Sequence, residues 1–170
     1  VKLANQTRKK IHILHITTAE EIELLNKNKK YVSYEVTPQH LVLSSPSCYD
    51  KLGTLAQMNP PIRSLRHNKR LRQALKNNEI DIVGSDHAPH KLSEKKLEYP
   101  DSPSGMPGVQ TLLPILLNEV SKKMISINNV VELTSYNPIN RFKIKNKGLI
   151  KEGYDADLTF VDMSKTKKIS

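Results

Sequence analysis

Residues 80–90 read IDIVGSDHAPH, and this stretch decides the fold. Ile80, Ile82 and Val83 are β-branched, and Gly84 and Ser85 close the run, which is the pattern of a short buried strand over 80–85. The strand runs straight into Asp86, with His87 and His90 just beyond. Acid and imidazole groups therefore gather where a strand stops. Working back along the chain, residues 31–36 (YVSYEV) predict a second strand, which Pro38 ends, and His40 follows it. Residues 11–16 (IHILHI) predict a third, with His15 at its end. Helices fall between the strands. Thr17 or Thr18 caps one that runs to about Asn28, with Glu20 and Glu21 near its positive end. Residues 66–78 form a strongly basic helix, and 109–123 a helix with Leu112, Leu113, Leu116 and Leu117 on one face. Asn128 is expected to cap a last helix over 129–135, and 148–162 to turn into a strand.

Short apolar strands alternating with helices predict an α/β fold of parallel βα units. In βα barrels the chemistry collects at the C-terminal strand ends, where His15, His40 and Asp86 fall. Imidazole nitrogen and carboxylate oxygen are the ligands that catalytic zinc takes. An ion held there would polarise a carbonyl and acidify water, and Asp86 could carry a proton from that water to a leaving amide nitrogen.

Composition narrows the function classes. At 170 residues the chain is long enough for one domain with its own core. No run of 18 apolar residues offers a membrane span. The net charge is +10, but the lysines are scattered and no basic run is interleaved with stacking rings, which argues against a nucleic-acid partner. The single cysteine, Cys48, has no internal disulfide partner and fits a reducing cytoplasm as a free thiol. The start, VKLANQTRKKIHIL, has neither an initiating Met nor a signal-peptide pattern, and reads like the middle of a protein.

Seven motifs carry a family resemblance. His15-Ile16-Thr17-Thr18 resembles the histidine ending the fifth barrel strand of the amidohydrolase superfamily, and the run from Tyr34 to His40 (YEVTPQH) its sixth-strand histidine. The runs 58–63 (MNPPIR) and 85–90 (SDHAPH) resemble dihydroorotases in particular, as does 105–111 (GMPGVQT), which looks like their substrate loop. Asn137-Pro138 and the Ala156-Asp157 signature resemble the superfamily's return to a small β-domain. The resemblance implies the C-terminal half of a (β/α)8 barrel over 1–147 and the start of a C-terminal β-domain over 148–170. It implies a zinc-dependent interconversion of dihydroorotate and N-carbamoyl-aspartate in pyrimidine synthesis, with one or two ions. On that resemblance His15 and His40 are metal ligands, and Asp86 is both ligand and proton carrier. Asn59 and His90 hold the substrate, and the backbone at Pro107 and Gly108 closes its pocket. A homo-oligomer is expected of the complete protein, with aspartate transcarbamoylase as a candidate partner.

Other residues have plainer readings. Alternation turns His12 away from His15, toward packing. His67 is expected at the surface, and Arg63 beside a local acid. His87 is open between orienting Asp86 and plain structure. Glu35 is a candidate partner for a cation. The loop at 91–98 is expected to be solvated, and its place beside the site permits a mobile lid.

The chain departs from the family pattern at one end. No His-x-His pair is present; His12 and His15 are three apart and cannot replace it. The first barrel strands are therefore absent, and catalysis by this chain alone is not expected. Two alternatives stand beside the dihydroorotase reading. One is an allantoinase- or dihydropyrimidinase-type enzyme. The other is a catalytically dead homologue that serves as a scaffold.

Overall fold

The computed structural model describes residues 1–166 and 168. Its centre is a three-stranded sheet of β1 (Ile11–Ile13), β2 (Val32–Val36) and β3 (Ile82–Val83), in the order β1-β2-β3. Both pairings are parallel. Ile11 lies opposite Val32 and Ile13 opposite Tyr34, while Glu35 lies opposite Ile82 and Val36 opposite Val83. The predicted α/β class with parallel strands is what forms.

The helices follow in chain order. They are α1 (Lys2–Thr7), α2 (Ala19–Asn26), α3 (Pro38–Val42), α4 (Ser47–Leu52), α5 (Leu65–Lys76), α6 (Leu92–Lys95), α7 (Val109–Ser121), α8 (Ile127–Val131) and α9 (Asn137–Phe142). A π-helical turn over Glu132–Tyr136 joins α8 to α9. No helix among the described residues is long and apolar enough to cross a membrane.

Alternation along β2 sorts its two faces. Val32, Tyr34 and Val36 are buried against the helices, while Ser33 and Glu35 face the other side. Ile22 of α2, Leu71 of α5 and Leu116 of α7 complete the core, each at most 1% exposed. At α2 the predicted cap resolves to Thr18. Its hydroxyl accepts from the Glu21 amide, and the Glu21 carboxylate accepts from the Thr17 and Thr18 amides at 2.9 and 2.8 Å.

Glu79 ties α2, α5 and the approach to β3 together. Its carboxylate accepts from Arg70 at 2.6 Å, Asn26 at 2.7 Å and Asn77 at 2.8 Å. Burial alone would push its pKa up; the donors from Arg70, Asn77 and Asn26 outweigh burial and hold it below the ordinary 4.5.

Several expectations need correction. The first strand stops at Ile13 because the chain enters left-handed backbone at His15, with φ 35°. Pro38 ends β2 as expected but also opens α3, a helix not foreseen, where its missing N–H costs nothing at the first turn. Ser126 caps the helix that Asn128 was expected to cap, accepting from the Asn129 amide at 3.1 Å. Residues 148–162 turn but form no strand, since among the described residues no strand lies beside them to pair with. The charged loop contains α6, and its Lys95 is buried rather than solvated.

Truncating Leu116 to Ala is expected to cost ~2–5 kcal/mol of stability by urea denaturation, as for other fully buried leucines. For Glu79 the sign follows from a folded pKa below the unfolded one. Its stabilisation is complete above about pH 4.5 and is lost as pH falls through the lowered folded value. Glu79→Gln should therefore be less stable than the parent above that pH, and the gap should close in acid. Parallel stability curves across the range would contradict the assignment.

Candidate active site

The C-terminal ends of the three strands form one edge of the sheet. The Ile16 amide donates to Glu35 O at 2.9 Å and the Gly84 amide to Val36 O at 3.0 Å, so the register carries on to the residues beside His15 and Asp86. Both of these sit in left-handed backbone, His15 at φ 35° and Asp86 at φ 42°. Non-glycine residues rarely adopt that conformation, and it collects at functional positions. Both side chains are half-buried. Among the described residues, neither makes a hydrogen bond or ion pair, so their ligand atoms are free.

His40 is buried on α3. Pro60 O can only accept, so Nε2 carries the proton and donates to it at 3.0 Å. Nδ1 then accepts from the Thr37 hydroxyl at 2.7 Å. Burial lowers the His40 pKa; the Pro60 carbonyl and the Asp86 charge oppose it, while His15 and Arg63 add to the lowering. The imidazole is thereby kept neutral, the state in which it ligates a metal. Asn68 of α5 fixes the end of α3, its amide nitrogen lying 2.9 Å from both His40 O and Leu41 O.

His15 and Asp86 both act on the charge of His40, so the three expected ligands share a neighbourhood. They do not form a closed set. No group of three His, Cys, Asp or Glu among the described residues is arranged to hold an ion. The donor chemistry fits a metal at His15 and Asp86, and His40 fits once it releases one of its two bonds.

The expected substrate residues flank this edge. Asn59 is exposed and lines a cavity of about 550 Å³ with Tyr49, Thr54, Gln57, Met58 and Tyr99. His90 is exposed, and its Nε2 lies 3.1 Å from Ser104 O. Pro107 is exposed and Gly108 is buried beside Ser85, just past the end of β3. A Cβ on Gly108 would fall 2.0 Å from Ser85 O, so only glycine lets the chain pass so near Asp86.

Three of the six histidines have structural work. His12 bonds Ser33 Oγ at 2.8 Å and Glu35 at 3.1 Å, and meets the Phe142 ring edge-on. Glu35 thus takes an imidazole as partner, and Gly84 leaves room for its carboxylate. His67 is not a free surface group; its Nδ1 accepts from the Ala19 amide at 3.0 Å, at the start of α2. His87 bonds the Gly108 amide at 3.0 Å, at the start of α7, and no bond to Asp86 forms. Arg63 meets the Thr17 hydroxyl at 3.3 Å instead of an acid.

Sequence reasoning missed Thr37, Gln39 and Lys95. Thr37 was legible, because Thr before Pro is a helix-start signal. Gln39 is buried and donates to Ser85 O at 3.3 Å, while its Oε1 has no partner among the described residues. Nothing in the sequence separates it, or Lys95, from surface residues of the same type.

Residues 4–170 match the model of the Amidohydrolase family. Among curated proteins the chain is similar to the dihydroorotase of Methanosphaera stadtmanae, 41% identical over all of this chain and 39% of that protein. It is also similar to the dihydroorotase of Pyrococcus horikoshii, 40% identical over 97% of this chain and 38% of the other. Among solved structures it resembles an L-hydantoinase (dihydropyrimidinase) from Arthrobacter aurescens, with TM-score 0.85, 29% identity, and coverage of 91% of this chain and 36% of that one. The chain thus spans about two fifths of the length of the curated relatives it matches. With the family match running over nearly its whole length and the ligand-type residues standing at parallel strand ends, this chain belongs to the amidohydrolase family.

Proposed function

We propose that this chain contributes the C-terminal half of a (β/α)8 barrel, over residues 1–147, to a zinc-dependent dihydroorotase. In this reading residues 148–170 begin its small β-domain, whose strands form once a partner strand is supplied. One observation carries the reading. His15 and Asp86 stand in left-handed backbone at the ends of paired parallel strands, their side chains unbonded among the described residues, with neutral His40 in the same neighbourhood. Its support from relatives is the name dihydroorotase on curated proteins similar over the whole chain.

His15, His40 and Asp86 would hold one or two zinc ions, with further ligands from outside this chain. Bound zinc supplies Lewis acidity toward the amide carbonyl and toward water. Asp86 takes a proton from the attacking water and returns it to the ring nitrogen as the C–N bond opens. Asn59 and His90 bind the ring and the carboxylate of dihydroorotate by hydrogen bonding. The backbone at Pro107 and Gly108 closes the pocket, and the His87 bond to Gly108 keeps that segment beside Asp86.

The buried free thiol of Cys48 suits a reducing, cytoplasmic setting. Exposed apolar groups such as Leu14 and Val109, 53% and 64% exposed, suit burial by the rest of the barrel or by a second subunit. Aspartate transcarbamoylase remains the candidate protein partner.

With the remainder of the barrel present, the protein should turn over dihydroorotate but neither allantoin nor dihydrouracil. Turnover of dihydrouracil instead would favour a dihydropyrimidinase, in line with the hydantoinase-like fold. A metal-free protein that still bound aspartate transcarbamoylase would favour a scaffold. Asp86→Asn should lower kcat by about 100-fold or more while keeping most of the metal. His15→Ala and His40→Ala should lose metal, read by elemental analysis. Asn59→Ala should raise KM.

A further inference from the structure

Lys95 lies in a charged loop, yet it is only 6% exposed. Its Nζ donates to Gln57 O at 2.8 Å and to Pro103 O at 2.9 Å. Among the described residues it makes no ion pair. Burial alone lowers its pKa, with no charged neighbour contributing. Burying an ammonium without a counter-charge is costly unless its donors are well used. Here they join two segments of chain that are far apart in sequence.

The surrounding bonds converge on the same junction. Lys95 O accepts from Thr54 Oγ1 at 2.6 Å and from Ser102 Oγ at 3.3 Å. Gln57 Nε2 donates to Ser102 O at 2.7 Å, and the Gly105 amide donates to Gln57 O at 3.0 Å. Gln57 precedes Asn59 by two residues. Pro103 precedes Ser104, whose carbonyl lies 3.1 Å from His90 Nε2. One buried ammonium therefore links the segment that carries Asn59 to the loop that holds His90.

We propose that Lys95 is a positioning residue that clamps the Asn59 segment and the His90 loop into one unit, fixing the spacing of the two groups that grip the substrate. The clamp makes 91–108 a fixed wall rather than a mobile lid. Its consequence for substrate rests on the dihydroorotase reading; the clamp itself does not. Preset spacing removes an ordering cost on binding, so its loss falls on KM.

The test is Lys95→Met in the full-length enzyme, a change that keeps the volume and removes the donors. The expected result is a KM for dihydroorotate about tenfold higher, kcat within about twofold and unchanged zinc content. Limited proteolysis should cut within 91–108 about tenfold faster than in the parent. Unchanged KM and unchanged cleavage would overturn the proposal, as would a fall in kcat alone. If Lys95→Met does not accumulate folded, Lys95→Gln, a shorter neutral side chain that does not span Gln57 O and Pro103 O, should shift KM and cleavage in the same directions; no shift in either overturns the clamp. A parent enzyme without dihydroorotate turnover would reject the functional reading instead, and the cleavage rates would still decide the clamp.

Discussion

Parallel hydrogen bonding of β2 to both of its neighbours is the constraint from which the site follows. With all three strands running one way, their C-terminal ends must share an edge. Residues scattered over some seventy positions of sequence, from His15 to Asp86, are brought to that edge by two short ladders. A slip of one residue in either pairing would turn Tyr34 and Val36 outward and send Ser33 and Glu35 into the core. The fully buried Tyr34, Ile22 and Leu71 therefore hold the register as well as the fold.

Around this edge the chain uses imidazoles in two ways. His12, His67 and His87 are engaged by protein groups, two of them at helix starts, where amides lack partners within the helix. Among the described residues His15 has no such partner, and His40 is held neutral by burial, against the pull of the Pro60 carbonyl, while Thr37 and Pro60 occupy its two ring nitrogens. The bond from His87 to Gly108, the bond from the Ala88 amide to Met106 O and the close pass of Gly108 over Ser85 then bring the start of α7 to the end of β3. The substrate-side loop is thus fastened to the ligand-side strand at three places.

Much of this was legible in the sequence. The three strands, the capped α2, the basic α5 and α7 follow from local periodicity and capping, which short stretches of chain encode. The placement of His15 and Asp86 at strand ends followed from the same reading. Features that depend on distant partners were not legible. The 148–162 strand fails because a strand needs a neighbour, which alternation cannot supply. Lys95, His67 and Arg63 each bond to residues more than 35 positions away, and nothing in their flanking sequence announces it.

The central claim is that the edge made by His15, His40 and Asp86 is part of a zinc centre. X-ray diffraction from crystals of the full-length protein, recorded on both sides of the zinc absorption edge, tests it most directly. The account predicts anomalous density at about 2.0–2.2 Å from imidazole nitrogens of His15 and His40 or from the Asp86 carboxylate, with His40 freed from Thr37 or Pro60. Anomalous density elsewhere in the molecule, with His40 still bound to both groups, would contradict it.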